Sequence, residues 1–202
     1  MSGGVPRLCL IADATGAAGV APALAALPPG AALVQLRDKA LGGGALLRLA
    51  RALLGVCREH QAPLLVNDRA DVALAACADG IHLPANGLLP ADARALLGPR
   101  SLLGMSCHEP AEVVRASSAG ADFCIFGPVW ETPGKGPARG VEALATAVRA
   151  ATIPVLAVGG IDVRTAALAL AAGASGVACI RAILRANDPA RAAADLWRSL
   201  GP

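Results

Sequence analysis

The stretch P-V-L-A-V-G-G at residues 154–160 decides the fold, and Ile161 and Asp162 follow it directly. Its apolar residues run without alternation, which is typical of a strand buried on both faces of a parallel sheet. The two glycines after the strand let a ligand come close to the backbone, and a helix start just beyond them offers N–H donors to an anion. Gly159 and Gly160 therefore predict a phosphate site at the carboxyl end of this strand.

Other short apolar segments show the same arrangement, and each is followed by a helical segment. Alternating strands and helices predict a parallel sheet, and eight such units fill a (β/α)8 barrel. A doubly wound open sheet is the alternative, but that fold usually has a glycine-rich first turn, whereas this chain has Asp13-Ala14-Thr15-Gly16 there. We therefore predict an α/β fold in which residues 1–202 form a single TIM-barrel domain. The predicted strands span residues 7–12, 31–37, 63–66, 80–83, 101–106, 123–126, 154–160 and 176–180.

Composition narrows the classes of function. The net charge is only +3, and two Phe, two Trp and no Tyr leave little surface on which bases could stack, so no nucleic acid partner is expected. No segment has the ~18 uninterrupted apolar residues of a membrane span, and the N-terminus lacks a signal-peptide pattern. The six cysteines contain no C-x-x-C pair, which predicts buried free thiols in a reducing compartment. These features indicate a cytoplasmic protein with no membrane partner.

Polar residues that follow the predicted strands are the candidate site residues, because the active site of this fold lies at the carboxyl ends of its strands. Arg37 and Lys39 lie two apart on an extended segment, so both point to the same side and suit a phosphate or diphosphate. Asn67 and Asp68 can hold a carbonyl, a hydroxyl or one oxygen of a magnesium shell. The alternative for Arg37 and Lys39 is an ordinary pair of solvated loop cations. The alternative for Asn67 and Asp68 is that they cap the helix that follows.

Further candidates follow the fifth, sixth and eighth strands. Ser106 and His108 are predicted to share a face, which makes His108 a candidate acid or base, although the serine could simply cap a helix. Thr132 and Lys135 lie in a loop rich in glycine and proline that is able to fold over a ligand. Arg181 adds charge beside Gly159 and Gly160, because the loops after strands seven and eight form the usual phosphate site of a barrel. His82, by contrast, is interpreted as a core histidine.

Several of these segments together resemble one family over nearly the whole chain. The segments are Q-L-R-D-K (35–39), L-L-V-N-D-R-A-D-V-A (64–73), A-D-G-I-H-L (78–83), G-M-S-C-H (104–108), G-A-D-F-C-I-F-G-P-V-W-E-T-P-G-K (120–135) and P-V-L-A-V-G-G-I (154–161). They are similar to the thiamin phosphate synthase/TenI superfamily. The resemblance implies a barrel that binds a thiazole phosphate at the seventh and eighth loops. It also implies that a synthase would hold a pyrimidine diphosphate and magnesium through Arg37, Lys39, Asn67, Asp68 and Lys135.

Departures from the synthase pattern favour the TenI branch. The acidic residue that ligates magnesium in synthases is Gly87 here, the serine of the eighth-strand loop is Arg181, and the loop at 130–141 looks more like TenI. The resemblance therefore predicts a thiazole tautomerase, an isomerase that moves a proton and needs no cofactor. The histidine expected of TenI is Pro128, so His108 or Glu131 would serve as the general base, with Lys135 also in the catalytic group.

Two alternatives stay open at the level of sequence. One is a magnesium-dependent thiamin phosphate synthase, in which Asp68 would ligate the metal. The other is a non-catalytic protein that binds the thiazole phosphate. In each case the expected partner is a small molecule, and alanine-rich helices would allow a homodimer.

Overall fold

The apolar segments of the chain form parallel strands that close into a barrel. In the computed structural model, which describes residues 4–201, each strand pairs with the next along the chain and the eighth pairs with the first. The predicted single (β/α)8 barrel is therefore confirmed. The strands are β1 Leu8–Ala12, β2 Ala32–Leu36, β3 Leu64–Asn67, β4 Gly80–Leu83, β5 Leu102–Cys107, β6 Phe123–Phe126, β7 Val155–Val158 and β8 Gly176–Cys179.

Helices cover the outside of the barrel. Two begin with an aspartate cap: Asp162 accepts a hydrogen bond from the backbone of Thr165, and Asp188 accepts one from the backbone of Arg191. Within residues 4–201, none of the helices is long and apolar enough to cross a membrane. The helices are α1 Val20–Ala25, α2 Gly43–Glu59, α3 Ala70–Ala76, α4 Pro90–Leu97, α5 Pro110–Ser118, α6 Val141–Ala150, α7 Val163–Ala171, α8 Arg181–Leu184 and α9 Pro189–Ser199, and a 3-10 turn spans Ala17–Gly19.

The core has an inner and an outer layer, because successive residues of a strand point to opposite faces. In β1, Cys9 and Ile11 belong to the cluster inside the barrel, while Leu8 and Leu10 pack in the layer between the strands and the helices. Both layers are apolar, which explains why the strands read as unbroken apolar runs. None of the cysteines in the described part forms a disulfide; five are buried, and Cys77 is exposed.

Two local differences from the predicted elements affect the site. β5 ends at Cys107, which pairs with Phe126, so Ser106 belongs to the strand and is not available as a helix cap. The short helix α8 begins at Arg181, directly after the eighth strand, where only a loop was expected. Arg37, Gly159 and Gly160 lie just beyond their strands, at the mouth of the barrel.

Candidate active site

The mouth of the barrel contains two adjoining cavities. We call the first, of about 340 Å³, the glycine pocket, and the second, of about 620 Å³, the cationic cleft. Lys135, Val158 and Ile180 line both, so the two cavities meet at these residues. The glycine pocket is lined by Asp13, Thr132, Pro133, Lys135, Val158, Gly159, Gly160, Ile161, Ala178, Cys179, Ile180, Arg181, Ala182 and Arg185. The cationic cleft is lined by Ile11, Gln35, Arg37, Lys39, Asn67, Asp68, His82, Pro84, Ala85, Asn86, Ser106, His108, Ile125, Gly127, Pro128, Lys135, Gly136, Pro137, Arg139, Val158 and Ile180.

Backbone shape forms one wall of the glycine pocket. Gly159 has φ +97° and Gly160 has φ +63°, in the left-handed region that favours glycine. A Cβ on Gly159 would lie 2.6 Å from the Cβ of Pro128, and a Cβ on Gly160 would lie 2.6 Å from the Cβ of Trp130. Neither position has room for a side chain, so the backbone itself faces the pocket, where an anion can approach it.

Charged side chains form the opposite wall of the glycine pocket. Arg185 donates to Oδ2 of Asp13 at 2.5 Å, and the backbone N–H of Gly16 donates to Oδ1 of Asp13 at 2.8 Å. Partial burial opposes ionisation of Asp13, but hydrogen bonds from Thr15 and Gly16 and the charge of Arg185 outweigh it and lower the pKa. Asp13 therefore fixes Arg185 in place. The side chain of Arg181 makes no hydrogen bond or ion pair within residues 4–201, so its charge is available to a ligand.

The cationic cleft contains four basic side chains and only one carboxylate, that of Asp68. Arg139 forms an ion pair with Glu109 at the rim. The side chains of the other three cations have no hydrogen-bonding or ionic partner in the described part of the chain, although most arginines elsewhere on the barrel are paired. These unpaired cations are Arg37, Lys39 and Lys135. A cleft with this charge balance is suited to a ligand that carries several negative charges.

Lys135 lies where the two cavities meet. Its side chain is exposed at the rim, yet loss of water around the ammonium group lowers its pKa, and the charges of Arg37 and Arg181 add to this effect. An anion in either cavity would stabilise the ammonium form. Lys135 therefore lines both cavities, and its predicted role toward a ligand stays a prediction.

Two hydrogen-bonded pairs of side chains form the floor of the cationic cleft. Nε2 of Gln35 donates to Oδ1 of Asn67 at 2.9 Å, and Nε2 of His82 lies 2.9 Å from Oγ of Ser106. Oε1 of Gln35 and Nδ1 of His82 are buried and have no partner within residues 4–201. Nδ1 of His82 lies beside Gly104, where an added Cβ would be 2.5 Å from it, so this atom is turned toward the neighbouring strand and is not available to a ligand in the cleft. Sequence reasoning missed Gln35, although a glutamine inside an apolar strand is a visible signal.

Ser106 and His108, which were predicted to share a face, both line the cationic cleft, but each makes its hydrogen bond to a different neighbour. Ser106 contacts His82, which is buried and whose pKa falls to about 3 through burial and the nearby charge of Arg37, so this ring is neutral. His108 is exposed, and its Nδ1 lies 2.5 Å from the carbonyl oxygen of Gly127. Because a carbonyl only accepts, Nδ1 carries the proton.

The remaining candidates are Thr132 and Glu131, in the loop after β6, and Asp68, which follows β3. The hydroxyl of Thr132 lines the glycine pocket but donates to the carbonyl oxygen of Trp130 at 2.9 Å. Glu131 is exposed and lines neither cavity, so the structure gives no support to its expected role as a general base. Asp68 faces the cleft with φ +65°, an uncommon conformation for a residue other than glycine.

The fold defines a class, the (β/α)8 barrels, whose active sites lie at the carboxyl ends of their strands, where both cavities are found. Residues 8–183 match the family model TMP-TENI, which is described as thiamine monophosphate synthase. The chain therefore belongs to this family, and the predicted superfamily is confirmed.

Proteins similar to this chain over nearly its whole length are named as thiamine-phosphate synthases. A thiamine-phosphate synthase of Chlorobium phaeobacteroides is 41% identical over 187 residues, which cover 91% of this chain and 91% of the relative. The thiamine-phosphate synthase of Chlorobium limicola is 42% identical over 195 residues, covering 95% of this chain and 92% of the relative. The solved structure of a thiamine phosphate pyrophosphorylase from Pyrococcus furiosus superposes with a TM-score of 0.86 at 30% identity, covering 96% of this chain and 95% of the other.

These similarities correct the predicted branch. The thiazole tautomerase prediction, and with it the isomerase class, is wrong, because relatives that match nearly the whole chain are named as synthases. The choice of branch depended on a few rim positions, Gly87, Arg181 and the loop at 130–141. Such exposed positions can change while the barrel and the cavities are retained.

Proposed function

We propose that this protein is a thiamin phosphate synthase, a transferase that joins a pyrimidine diphosphate to a thiazole phosphate. One observation carries the proposal: two adjoining cavities in one mouth, each with cations that lack a protein partner. One cavity would hold the single phosphate of the thiazole and the other the diphosphate of the pyrimidine. The relatives named as thiamine-phosphate synthases support the same reaction.

The two anionic groups would be held in different ways. In the glycine pocket, the backbone at Gly159 and Gly160, with Thr132 and Arg181 beside it, would bind the thiazole phosphate. In the cationic cleft, Arg37 would make bidentate contacts to the diphosphate and Lys39 would contribute a point charge. Lys135 would reach the diphosphate from the shared boundary. The reacting groups would thereby be held next to each other, where proximity lowers the barrier.

The chemistry itself would need charge stabilisation more than acid–base catalysis. The ring nitrogen of the thiazole uses its lone pair to form a bond to the methylene carbon of the pyrimidine. The bond from that carbon to the diphosphate oxygen breaks, and its electron pair leaves with the diphosphate. No proton leaves either reacting atom, so His108 has no general-base role in this step. Arg37, Lys39 and Lys135 would instead stabilise the charge that develops on the departing diphosphate.

The polar floor would orient the pyrimidine. Oε1 of Gln35 is a free acceptor, and Asn67 holds the other end of the same amide. His82 and Ser106 form the second pair, beneath the same cleft. A heteroaromatic ring with a hydrogen-bond donor at its edge would satisfy Gln35 after a small rotation of its amide, whereas an apolar ring would leave Oε1 unpaired. His108 would help to position the wall of the cleft, because its ring N–H donates to the carbonyl of Gly127, which lines the cleft.

Magnesium would enter this site with the diphosphate. Asp68 is the only carboxylate of the cleft, and magnesium is commonly held by one or two carboxylates together with substrate phosphates. The residues present therefore fit a metal that the diphosphate helps to bind. When bound, magnesium would neutralise part of the charge on the leaving group. The reaction would take place in the cytoplasm, where the free cysteines would stay reduced. The protein would form a homodimer, which light scattering can check.

The test is to incubate the purified protein with the pyrimidine diphosphate, the thiazole phosphate and magnesium. Thiamin phosphate and inorganic diphosphate should appear in equal amounts, and omission of either substrate should abolish both. Binding of the thiazole phosphate without turnover would overturn the proposal and identify a non-catalytic binder instead. A parallel reaction with Arg58→Ala, which removes an exposed arginine from the last turn of α2, at the end of the barrel opposite the mouth, controls for mutation of a surface charge.

A further inference from the structure

Within residues 4–201, three polar side chains are buried, and two of them, Gln35 and His82, belong to the floor of the cationic cleft. The third is Thr165, which is only 4% exposed and lies in the first turn of α7, just after the glycine pocket wall, without lining the pocket itself. Burial of a hydroxyl group is costly unless its hydrogen bonds are made. The hydrogen bonds of Thr165 therefore indicate its role.

The hydroxyl of Thr165 closes the loop that follows β7. It accepts from the N–H of Asp162 at 2.7 Å and lies 2.8 Å from the carbonyl oxygen of Gly160. The hydroxyl has one proton, and the contact to Gly160 is the shortest of those that it could make as a donor. The backbone N–H of Thr165 makes a separate bond to Oδ1 of Asp162 at 2.7 Å, which caps α7. The backbone of Thr165 thus serves the helix, and its hydroxyl serves the loop.

The direction of the Gly160 carbonyl determines where the next N–H points. The peptide bond between Gly160 and Ile161 is trans, so its C=O and N–H point in opposite directions. Because the carbonyl is held toward Thr165, the N–H of Ile161 is turned away from α7. Gly160 and Ile161 both line the glycine pocket, and within residues 4–201 neither N–H donates to a protein acceptor. These two groups are therefore available to an anion.

This peptide has few other anchors. Gly160 has φ +63° and Gly159 has φ +97°, and glycine has enough conformational freedom to leave such a geometry readily. The carbonyl of Gly159 accepts from the N–H of Trp130 at 3.3 Å, a long hydrogen bond. In the described part of the chain, Thr165 is the one donor to the carbonyl of Gly160. Loss of its hydroxyl would therefore free the peptide that ends in the N–H of Ile161.

We propose that Thr165 is a positioning residue for the anion that the glycine pocket binds, because its hydroxyl keeps the N–H of Ile161 turned toward the pocket. The inference rests on the proposed function for the identity of that anion as the thiazole phosphate, but it does not depend on turnover. Thr165 does not line either cavity, so its effect would pass through the Gly160–Ile161 peptide. The affinity of the cationic cleft should not depend on it.

The experiment titrates inorganic phosphate into isotope-labelled protein and follows the backbone amide signals of Gly160 and Ile161 by nuclear magnetic resonance. Both signals should shift in the wild-type protein and give one Kd. Thr165→Val keeps nearly the same side-chain shape and the backbone cap but removes the hydroxyl, and it should raise this Kd about 5-fold or more, the size of one hydrogen bond. Thr165→Ser should bring the Kd back to within ~2-fold of wild type. An unchanged Kd in Thr165→Val, or wild-type signals that do not shift, would overturn the proposal.

Asp162→Ala is the matched control for the stability of α7. It removes the carboxylate that caps the helix but leaves the hydroxyl of Thr165 on Gly160, so it should lower the midpoint of urea unfolding and change the phosphate Kd less than ~2-fold. A rise in Kd as large as that of Thr165→Val would assign the effect to the helix cap and contradict the proposal.

A second titration tests whether the effect is confined to one cavity. Inorganic diphosphate, followed at the amide signals of Arg37 and Lys39, should bind the wild-type protein and Thr165→Val with the same Kd within ~2-fold, because Thr165 lies outside the cationic cleft. A loss at these signals as large as that at Gly160 would indicate general damage and contradict the proposal. Phosphate binding that behaves as expected in a protein that forms no thiamin phosphate would count against the proposed function alone.

Discussion

The glycine pocket and the cationic cleft are two halves of one mouth, but they are built in different ways. The pocket depends on backbone shape, since Gly159 and Gly160 lie in the left-handed region with no space for a Cβ. The cleft depends on side-chain charge, since Arg37, Lys39 and Lys135 surround one carboxylate. A site made of backbone is sensitive to added atoms, whereas a site made of charged side chains is sensitive to removed charge. This difference makes the two halves separable by mutation.

The largest effect is expected from removing charge in the cleft. Arg37→Ala should lower kcat/KM for the pyrimidine diphosphate at least ~100-fold, about 3 kcal/mol of transition-state stabilisation, because the proposed bidentate contact to the leaving group would be lost. KM for the thiazole phosphate should change little. Steady-state kinetics with each substrate varied in turn measures both. Equal losses for the two substrates would show that the halves are not independent.

Added atoms should damage the pocket instead. Gly159→Ala should raise KM for the thiazole phosphate about 10-fold or more and destabilise the fold by ~2–4 kcal/mol, because the new Cβ meets Pro128 at 2.6 Å. Gly98→Ala is the matched control, since Gly98 has nearly the same φ, +96° against +97°, but nothing within 4 Å of its Cβ position. Gly98 has ψ 163°, also in a region open almost only to glycine, so the control should lose about 1–3 kcal/mol in urea unfolding, and any further loss in Gly159→Ala measures the clash with Pro128. If Gly159→Ala and Gly98→Ala lose the same unfolding free energy, the loss comes from backbone strain alone and not from the contact with Pro128.

The buried histidine beneath the cleft should make folding stability depend on pH. The pKa of His82 is about 3 in the folded protein, below its ordinary value of 6.5, so stability is fully present above pH 6.5 and falls as the unfolded chain takes up a proton. Between pH 7 and pH 5 this amounts to about 2 kcal/mol. Urea unfolding of the wild-type protein and of His82→Gln at both pH values isolates the contribution of His82 to the free energy of unfolding. A wild-type loss no larger than that of the variant would contradict it.

A smaller effect is expected from removing the charge of Arg181 at the glycine pocket. Arg181→Ser should raise KM for the thiazole phosphate ~5-fold and leave KM for the pyrimidine diphosphate nearly unchanged, because Arg181 is an exposed cation at the pocket and the glycine backbone remains. Isothermal titration with the thiazole phosphate measures the change directly. A loss as large as that of Gly159→Ala would mean that charge, and not backbone shape, dominates this half.

The smallest effect is expected from Glu131. Its carboxylate is exposed and lines neither cavity, so Glu131→Gln should change kcat and both KM values less than ~2-fold. The same kinetic assay checks this expectation. A large loss of kcat would show that the loop after β6 moves the carboxylate into the mouth when substrates bind.

Local pattern alone was enough to predict the barrel. Unbroken apolar segments such as residues 154–160, each followed by a helix, require parallel strands covered on both faces, and eight of them close the sheet. The same rule places polar residues after each strand at one mouth, which is why Arg37, Lys39 and Asp68 were found as candidates. These inferences succeed because they depend only on periodicity and chain order.

Contacts between distant parts of the chain were decided by the tertiary structure. Ser106 pairs with His82 and not with His108, because neighbouring strands set which side chains meet inside the barrel. The approach of Gly87 to Asp68, where an added Cβ would lie 3.3 Å from Oδ1, depends on how two loops meet after β3 and β4. Sequence determined the barrel and the rim of cations; only the packed structure determined that these cations line two adjoining cavities and that Asp68 is the one carboxylate lining the cationic cleft.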